Sequence, residues 1–325
     1  MRSSRIILIS LLFFVSAGAK LHAQSDVVSL INEYGKFDNW SRREVKESGI
    51  IGGQMKHLYE FFGNEETIFT GKTPYQSPPD YLWRTNNVLA VVAGVVKTNN
   101  TVFPEPRDGG WCARIETHIE EVKALGIINM DVTCQGALLI GSLPEPITTT
   151  KDPMSKVLYG LPFTGRPKAV RMDIKADVGY EVIRGTGFSK LKNMGGADSA
   201  EITVILQKRW EDEDGNIHAL RVGTGIRRIS EDIPEWQNGH EIEIGYGDIT
   251  SEPYYEEYMG LKTDPDIAYH AINSEGRNVI VQEDGWAEPD AEPTHLMLHV
   301  ISSCGKAFYG GVGNTVWIDN VEIIM

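Results

Sequence analysis

The stretch EITVILQKRW-EDEDGN-IHALRVG, residues 201–223, decides the fold class of this chain. Two runs rich in β-branched and other apolar residues flank a polar segment of six residues. Asp214-Gly215 within that segment is a dipeptide typical of hairpin turns. The stretch therefore predicts two antiparallel strands joined by a turn.

The rest of the chain repeats this pattern of short, β-branched segments separated by Gly, Pro, Asn and Asp. In residues 171–177, Met172, Ile174 and Ala176 alternate with charged residues, the period of a strand with one solvent-facing side. The predicted strands span residues 87–96, 111–118, 127–140, 168–177, 201–210, 217–225, 240–246, 278–282, 295–302 and 315–325.

Helical patterns are weak, and the best candidates are residues 118–125 and a turn or two within 253–259. Strands at regular spacing with few helices indicate a β sandwich or jelly roll rather than an α/β sheet. We expect one all-β domain over residues 24–325. Hydrophobic residues make up 41% of the chain and charged residues 23%, which is a globular composition with material for a core.

The first 23 residues have the features of a secretory signal peptide. Arg2 and Arg5 precede an apolar run, and small residues lead to a cleavage point after Ala23, with a second option after Ala19. The run is too short to span a bilayer, and no Cys follows either cleavage point. The sequence predicts an exported, periplasmic or extracellular protein that is neither a lipoprotein nor inserted in a membrane.

The chain is acidic, with a formal net charge of −14. Removal of residues 1–23 takes away three basic residues and no acidic one, which lowers the charge to −17. An acidic surface repels polyanions, so nucleic acid is a poor partner. Neutral ligands and cations remain open.

Cysteine and histidine spacings give no established motif. Cys112, Cys134 and Cys304 are too scattered for a disulfide framework or a zinc site, and they indicate either buried thiols or a Cys112–Cys134 bridge. His295 and His299 are four residues apart in a predicted strand, where that spacing is about 13 Å. They are therefore expected to be ordinary positions on one face.

The last predicted strand, TVWIDNVEIIM at 315–325, contains a carboxylate among apolar residues. Strict alternation puts Asp319 on the same face as Trp317, Val321 and Ile323. A carboxylate in such surroundings needs a partner, either backbone N–H groups or a bound cation.

WIDNVEI (317–323) resembles the last strand of carbohydrate-binding jelly-roll modules, and YGKFDNW (34–40) is similar to their opening strand. More specifically, the chain resembles the family named "putative carbohydrate metabolism domain", which occurs in secreted bacterial proteins. The matching segments are GKFDNW at 35–40, KESGIIGG at 46–53, and residues 101–117, 160–177 and 293–323. The resemblance implies a galactose-binding-like jelly-roll β sandwich whose two ends lie side by side.

The resemblance also implies a structural calcium site. In similar modules a calcium ion often joins the first and last strands, and Asp38 and Asp319 match the acidic positions. Asn320 departs from the usual second Asp, which weakens this prediction. The alternative is that Asp38 caps a turn and Asp319 accepts backbone hydrogen bonds. No cofactor is otherwise expected.

Aromatic residues in or beside predicted loops are candidates for a sugar-stacking surface. Each alone is more often a packing residue, but as a set they predict a sugar platform. They are Trp83, Trp111, Trp236, Tyr254, Tyr255 and Trp286.

Catalytic residues are harder to predict, because glycoside hydrolysis needs two carboxylates about 5–10 Å apart and an acidic chain offers many chance pairs. The candidates are Glu105, Asp108 and Glu116. The interpretation is an exported protein that binds polysaccharide without cleaving it. The alternatives are a glycoside hydrolase or lyase, and a cell-surface adhesion subunit that binds an envelope protein.

Overall fold

The computed structural model describes residues 24–61, 74–75, 80–124, 128–149 and 151–325. The expected signal peptide lies outside the described residues. One α-helix, α1 (Gln24–Tyr34), precedes the first strand, and short 3-10 turns occur at Gly49–Ile51, Pro153–Lys156 and Glu257–Met259. None of the helices in the described ranges has the length and apolar character needed to cross a membrane.

Strands account for most of the described structure. They are β1 (Trp40–Lys46), β2 (Met55–Phe61), β3 (Trp83–Thr85), β4 (Val88–Val92), β5 (Val95–Asn99), β6 (Val102–Arg107), β7 (Gly110–Glu116), β8 (His118–Ala124), β9 (Ile128–Cys134), β10 (Ala137–Ser142), β11 (Leu158–Tyr159), β12 (Leu161–Pro162), β13 (Ala169–Asp177), β14 (Glu181–Arg184), β15 (Lys192–Ala197), β16 (Ala200–Glu211), β17 (Ile217–Ile229), β18 (Ile233–Glu243), β19 (Gly245–Tyr246), β20 (His270–Ile272), β21 (Asn278–Trp286), β22 (His295–Ile301), β23 (Tyr309–Gly311) and β24 (Thr315–Ile324).

The largest sheet has the order β12-β22-β16-β17-β21-β20-β11-β10-β3, with β19 paired to β17. Its centre is the antiparallel pair β16–β17, which the 201–223 stretch predicts, and Glu211 pairs with Ile217 across the turn that contains Asp214-Gly215. Strand β10 also pairs with β22. The pairing therefore runs from β22 through β16, β17, β21, β20, β11 and β10 back to β22.

The second large sheet has the order β18-β13-β24-β7-β6 and packs against the first. Apolar side chains at alternate positions of β13 and β24, such as Ile174 and Ile318, meet Val204 of β16 and Leu298 of β22 in the main core. All four are fully buried. The expected all-β jelly-roll sandwich is confirmed.

Several segments fold differently from the sequence prediction. The predicted strand 127–140 is two strands, β9 paired with β8 and β10 paired with β22 and β3, and the predicted strand 240–246 is divided between β18 and β19. The predicted strand 87–96 is a hairpin, because Ala93 and Gly94 have positive φ and turn the chain between β4 and β5. The predicted helix at 118–125 is wrong, since β8 pairs along its length with β9. Its apolar spacing suits a helix, but cross-strand pairing overrides this weak preference.

A β-bulge near the end of β24 corrects the predicted position of Asp319. The register with β13 shifts there, so Asp319 pairs with Asp173 while Glu322 pairs with Arg171. Asn320 has a φ of 49°, a conformation that Asn tolerates better than most residues. The extra residue turns Val321 into the core with Ile318 and leaves Asp319 outside it.

The two ends of the described chain are adjacent, as the resemblance implies. The Val321 N–H donates to the Gly35 carbonyl at 2.9 Å, and the Ile323 N–H donates to Asn32 Oδ1 at 2.8 Å. A Cβ on Gly35 would come within 2.3 Å of the Val321 carbonyl oxygen, so this approach requires glycine. The contact brings the segment after α1, with Asp38, beside the bulge of β24.

The three cysteines are free thiols, which agrees with the buried-thiol interpretation and not with a Cys112–Cys134 bridge. Cys112 is buried, whereas Cys134 and Cys304 are half-buried.

Candidate functional site

A surface hollow of about 560 Å³ lies where the start and end of the sandwich meet the tip of the β6–β7 hairpin. We call it the Arg107 hollow. It brings together Asp38 and Asp319, predicted to bind calcium, Asp108, a predicted catalytic candidate, and Trp111, predicted to bind sugar. The residues that line it are Lys36, Asp38, Arg107, Asp108, Gly109, Gly110, Trp111, Asp319 and Asn320.

The hairpin tip presents Trp111 at the edge of the hollow. Asp108 and Gly109 both have positive φ and form the two-residue turn between Arg107 and Gly110. Trp111 follows in β7, and 42% of its surface is exposed. Its backbone N–H donates to Asp38 Oδ1 at 3.0 Å. A Cβ on Gly110 would lie 2.1 Å from that same oxygen, so glycine is required for Asp38 to approach the hairpin.

Arg107 organises the base of the hollow. Its guanidinium donates to Asp319 Oδ2 at 2.8 Å, to Asp173 Oδ2 at 2.9 Å and to Asn238 Oδ1 at 2.8 Å. One face of the Trp236 ring covers the guanidinium, whose central carbon lies 3.8 Å from the ring centroid. Charge-assisted hydrogen bonds and the aromatic contact hold this side chain in one orientation.

The two carboxylates beside Arg107 have opposite pKa shifts. Burial alone would raise the pKa of Asp173, but hydrogen bonds from Asn320, the Gly239 N–H and Arg107 outweigh it, and the net shift is downward. Burial raises the pKa of Asp319 to about 6, and its bonds to the Asn320 N–H and Arg107 offset this only in part. Asp173 therefore stays ionised at neutral pH, and Asp319 is the more readily protonated of the two.

The partner that Asp319 needs is present in the structure. Its Oδ2 accepts from Arg107 and its Oδ1 from the Asn320 N–H at 2.8 Å, so both oxygens are occupied. Within the described ranges, no group of three or more His, Cys, Asp or Glu side chains is arranged to hold a metal ion. A calcium ion at Asp38 and Asp319 would have to displace or repel Arg107. The calcium site stays a prediction.

Apart from Trp236, whose ring covers Arg107, the other predicted aromatic residues do not form one surface with Trp111. Trp83 is corrected from a loop to strand β3 and the core, because it is 1% exposed and its Nε1–H donates to the Ile31 carbonyl. Tyr254 lines a separate cavity of about 400 Å³, and Tyr255 beside it is half-buried. Trp286 ends β21, with its ring centroid 5.5 Å from the guanidinium carbon of Arg221.

Of the predicted catalytic carboxylates, Asp108 lines the hollow, whereas Glu105 and Glu116 lie farther along the β6–β7 hairpin. Glu105 and Glu116 both contact Arg114, Glu105 at 3.2 Å from its Nε. Asp108 lies on the hairpin turn with 87% of its side chain exposed. The Arg114 guanidinium thus lies between the Glu105 and Glu116 carboxylates and pairs with both. A catalytic role for these three residues stays a prediction.

The sequence did not reveal Asp173 and Lys36 as residues of this region. Asp173 is one of several charged residues on the polar side of a regular strand. Its importance depends on the β13–β24 register, which the bulge sets.

Comparisons with known proteins give only distant likenesses. No protein-family model matches the chain, and no curated protein matches it. A protein of Bacteroides thetaiotaomicron named "putative glycoside hydrolase" is 16% identical, with 84% of this chain and 81% of that chain covered and a TM-score of 0.40. A protein of Bacteroides vulgatus with the same name is also 16% identical, with 89% and 96% covered and a TM-score of 0.43.

A third solved structure is a carbohydrate-binding module specific for non-crystalline cellulose. It is 11% identical, with 75% of this chain and 88% of that chain covered and a TM-score of 0.26. All three TM-scores are below 0.5, so these likenesses assign neither a site nor an activity. The resemblance to the carbohydrate metabolism family stays a prediction.

Proposed function

We propose that this protein is an exported glycan-recognition protein that binds polysaccharide at the Arg107 hollow without cleaving it. The observation that carries the proposal is that Trp111, 42% exposed, lines one hollow with Asp38, which accepts from its backbone N–H, and with the ordered guanidinium of Arg107. The proposed location is the periplasm or the cell exterior, in a polysaccharide-use system.

The chemistry of the hollow suits a sugar. The face of an indole packs against the C–H groups of a pyranose ring, and neighbouring polar groups orient its hydroxyls. Asp38 supplies acceptors, and Lys36 and the Asn320 amide supply donors along the same hollow. Because hydrogen bonds already order Asp38, Arg107 and Asn320, a ligand loses little free energy in arranging them.

A glycan array probed with the purified protein, with calcium and with chelator, tests the proposal. We expect selective binding to one polysaccharide class. Trp111→Ala should weaken that binding at least about tenfold, the loss typical of a central aromatic contact. The matched control is Trp210→Ala, because Trp210 is 43% exposed but stacks on His218 outside the hollow. Loss of binding under chelator would support the Asp38–Asp319 calcium site.

A blank array from folded protein would contradict the proposal and favour the adhesion alternative, in which the partner is an envelope protein. Equal losses in the two tryptophan variants would exclude the hollow as the binding site. The protein would instead be a glycoside hydrolase or lyase if it cleaved the bound polysaccharide, and if Glu105→Gln or Glu116→Gln abolished that cleavage while leaving binding unchanged.

A further inference from the structure

We propose that a second site takes a single sugar ring that bears a carboxylate, such as a uronic acid residue. The site is a cavity of about 150 Å³, here called the His299 cavity. It is separate from the Arg107 hollow and shares no lining residue with it. The side chains that carry the argument are Tyr159, Glu201, Arg228, Lys262, Tyr269 and His299.

The cavity lies on the face of the largest sheet that points away from the main core. Strands β16 and β22 place Glu201 and His299 there, since Thr203 pairs with His299 and Glu201 lies two residues before Thr203. Met297, two residues before His299, belongs to the second apolar cluster on this face, together with Tyr159 and Tyr269. Tyr159 and Tyr269 of this cluster also line the cavity, so its lining combines apolar surface with polar side chains.

The size of the cavity fits one hexose ring. A water molecule needs roughly 10–15 Å³ of such space, so about 150 Å³ accommodates on the order of ten to fifteen non-hydrogen atoms. A hexose or hexuronic acid has about twelve or thirteen non-hydrogen atoms, which matches this volume. A longer glycan could place only its terminal residue inside.

His299 is a buried polar side chain that needs a partner. It is 5% exposed, and its Nδ1 has no hydrogen-bond partner within the part of the chain that the structure describes. Its ring lies 5.3 Å from that of Tyr159 and 6.1 Å from that of Tyr269, measured between centroids. Burial lowers the pKa of His299 to about 4, so the ring is neutral at pH 7 and offers one donor and one acceptor. Buried polar groups are normally satisfied, and a bound ligand would satisfy this one.

Lys262 supplies an unpaired positive charge. Its Nζ donates to the neutral carbonyl of Tyr258 at 3.1 Å and forms no ion pair within the described residues. By contrast, Glu201 is already neutralised, because its carboxylate accepts from Arg228 Nε at 2.9 Å and from Thr203 Oγ1 at 3.0 Å. The lining thus has one more positive than negative charge in a chain of net charge −14. Burial lowers the pKa of Lys262, and a bound carboxylate would offset that cost.

The phenols of Tyr159 and Tyr269 add donors and not charge. Burial raises the pKa of Tyr159 to about 12 and that of Tyr269 well above its usual value, so both remain protonated. With Lys262 and Arg228, they make the cavity rich in donors. Such a lining favours an oxygen-rich anion over a neutral hexose.

Titration of the protein with D-galacturonate and D-glucuronate, against D-galactose and D-glucose as neutral probes, tests the inference by ligand-observed NMR. We expect one uronate to bind at least tenfold more tightly than its neutral counterpart. Lys262→Met should weaken uronate binding at least tenfold. Lys208→Met is the matched control, since Lys208 is an exposed lysine of β16 outside the cavity, and it should leave binding unchanged.

His299→Phe provides an independent test, because it keeps a ring of similar shape and removes both nitrogens. Thermal unfolding of each variant establishes that it is folded, and if His299→Phe fails to fold, Lys262→Met decides. Absence of uronate binding by the folded protein would overturn the inference, as would equal affinity for uronate and neutral hexose. Uronate binding that neither variant weakens would place the ligand elsewhere. None of these outcomes depends on whether Trp111 binds a polysaccharide at the Arg107 hollow.

Discussion

Glu283→Gln should destabilise the protein strongly, because it leaves a buried guanidinium without its counter-ion. Arg221 and Glu283 form an ion pair in which neither side chain is exposed to solvent. Glu283 also accepts hydrogen bonds from Gln207 Nε2 at 2.7 Å and from the Lys262 N–H at 2.8 Å. Burial alone would raise the pKa of Glu283, but Arg221 and these donors outweigh it and the net shift is downward.

The size of the effect follows from this burial. Removing one partner of a buried pair costs about 3–5 kcal/mol, because the remaining charge stays desolvated. At about 2.1 cal/mol/K per residue, the unfolding entropy of a chain of this size is roughly 0.65 kcal/mol/K, which converts that loss into a Tm decrease of about 5–8 °C. Since the Lys262 N–H loses an ionic acceptor, the wall of the His299 cavity should loosen as well.

Urea unfolding and calorimetry measure the loss. The matched control is Glu241→Gln, because Glu241 pairs with Arg171 at a similar distance, 2.7 Å, but both side chains are more than 40% exposed. An exposed pair contributes about 0–1 kcal/mol. The double variant Arg221→Met/Glu283→Leu should recover much of the stability, because no buried charge remains. Similar losses for Glu283→Gln and Glu241→Gln would refute the reasoning.

Two further predictions concern titratable groups. Burial alone would lower the pKa of His118, but hydrogen bonds with Glu116 and Glu120 raise it to about 9. The folded state therefore gains stability from protonated His118, fully below the unfolded pKa of about 6.5, and loses it as the pH rises through 9. His118→Gln should therefore cost about 1–3 kcal/mol at pH 6 and little at pH 10, and a cost independent of pH in urea unfolding would contradict this. Burial raises the pKa of Cys112 and Cys134 to about 12 and that of Cys304 well above its usual value. A thiol reagent should therefore react slowly with the native protein, and in denaturant it should label all three thiols of the chain. A rapidly labelled thiol in the native state would show that at least one of these side chains is accessible.

Features set by neighbouring residues were predictable from the sequence. The β16–β17 hairpin follows from two β-branched runs and the Asp214-Gly215 turn, and β13 follows from strict alternation. These signals are local, so they predict the strands even when the neighbouring strands in the sheet are not known. The predicted helix at 118–125 failed because its preference was weak and β9 was available to pair with it.

Part of the Arg107 hollow was predictable as well. The need of Asp319 for a partner follows from a carboxylate in an apolar strand, and the nearness of Asp38 follows from the resemblance to jelly-roll modules. The partner was not predictable, because a one-residue bulge at Asn320 changes which side chains share a face. That shift directs Asp319 to Arg107 and Asp173.

The sequence by itself determined an all-β sandwich, the central hairpin and the pairing of the chain's two ends. Only the tertiary structure decided which polar side chains meet. Glu201, Lys262 and His299 are far apart in the sequence, and each alone reads as an ordinary strand or loop residue. The tertiary fold brings them around one cavity, and burial there lowers the pKa of Lys262 and of His299, which no local pattern encodes.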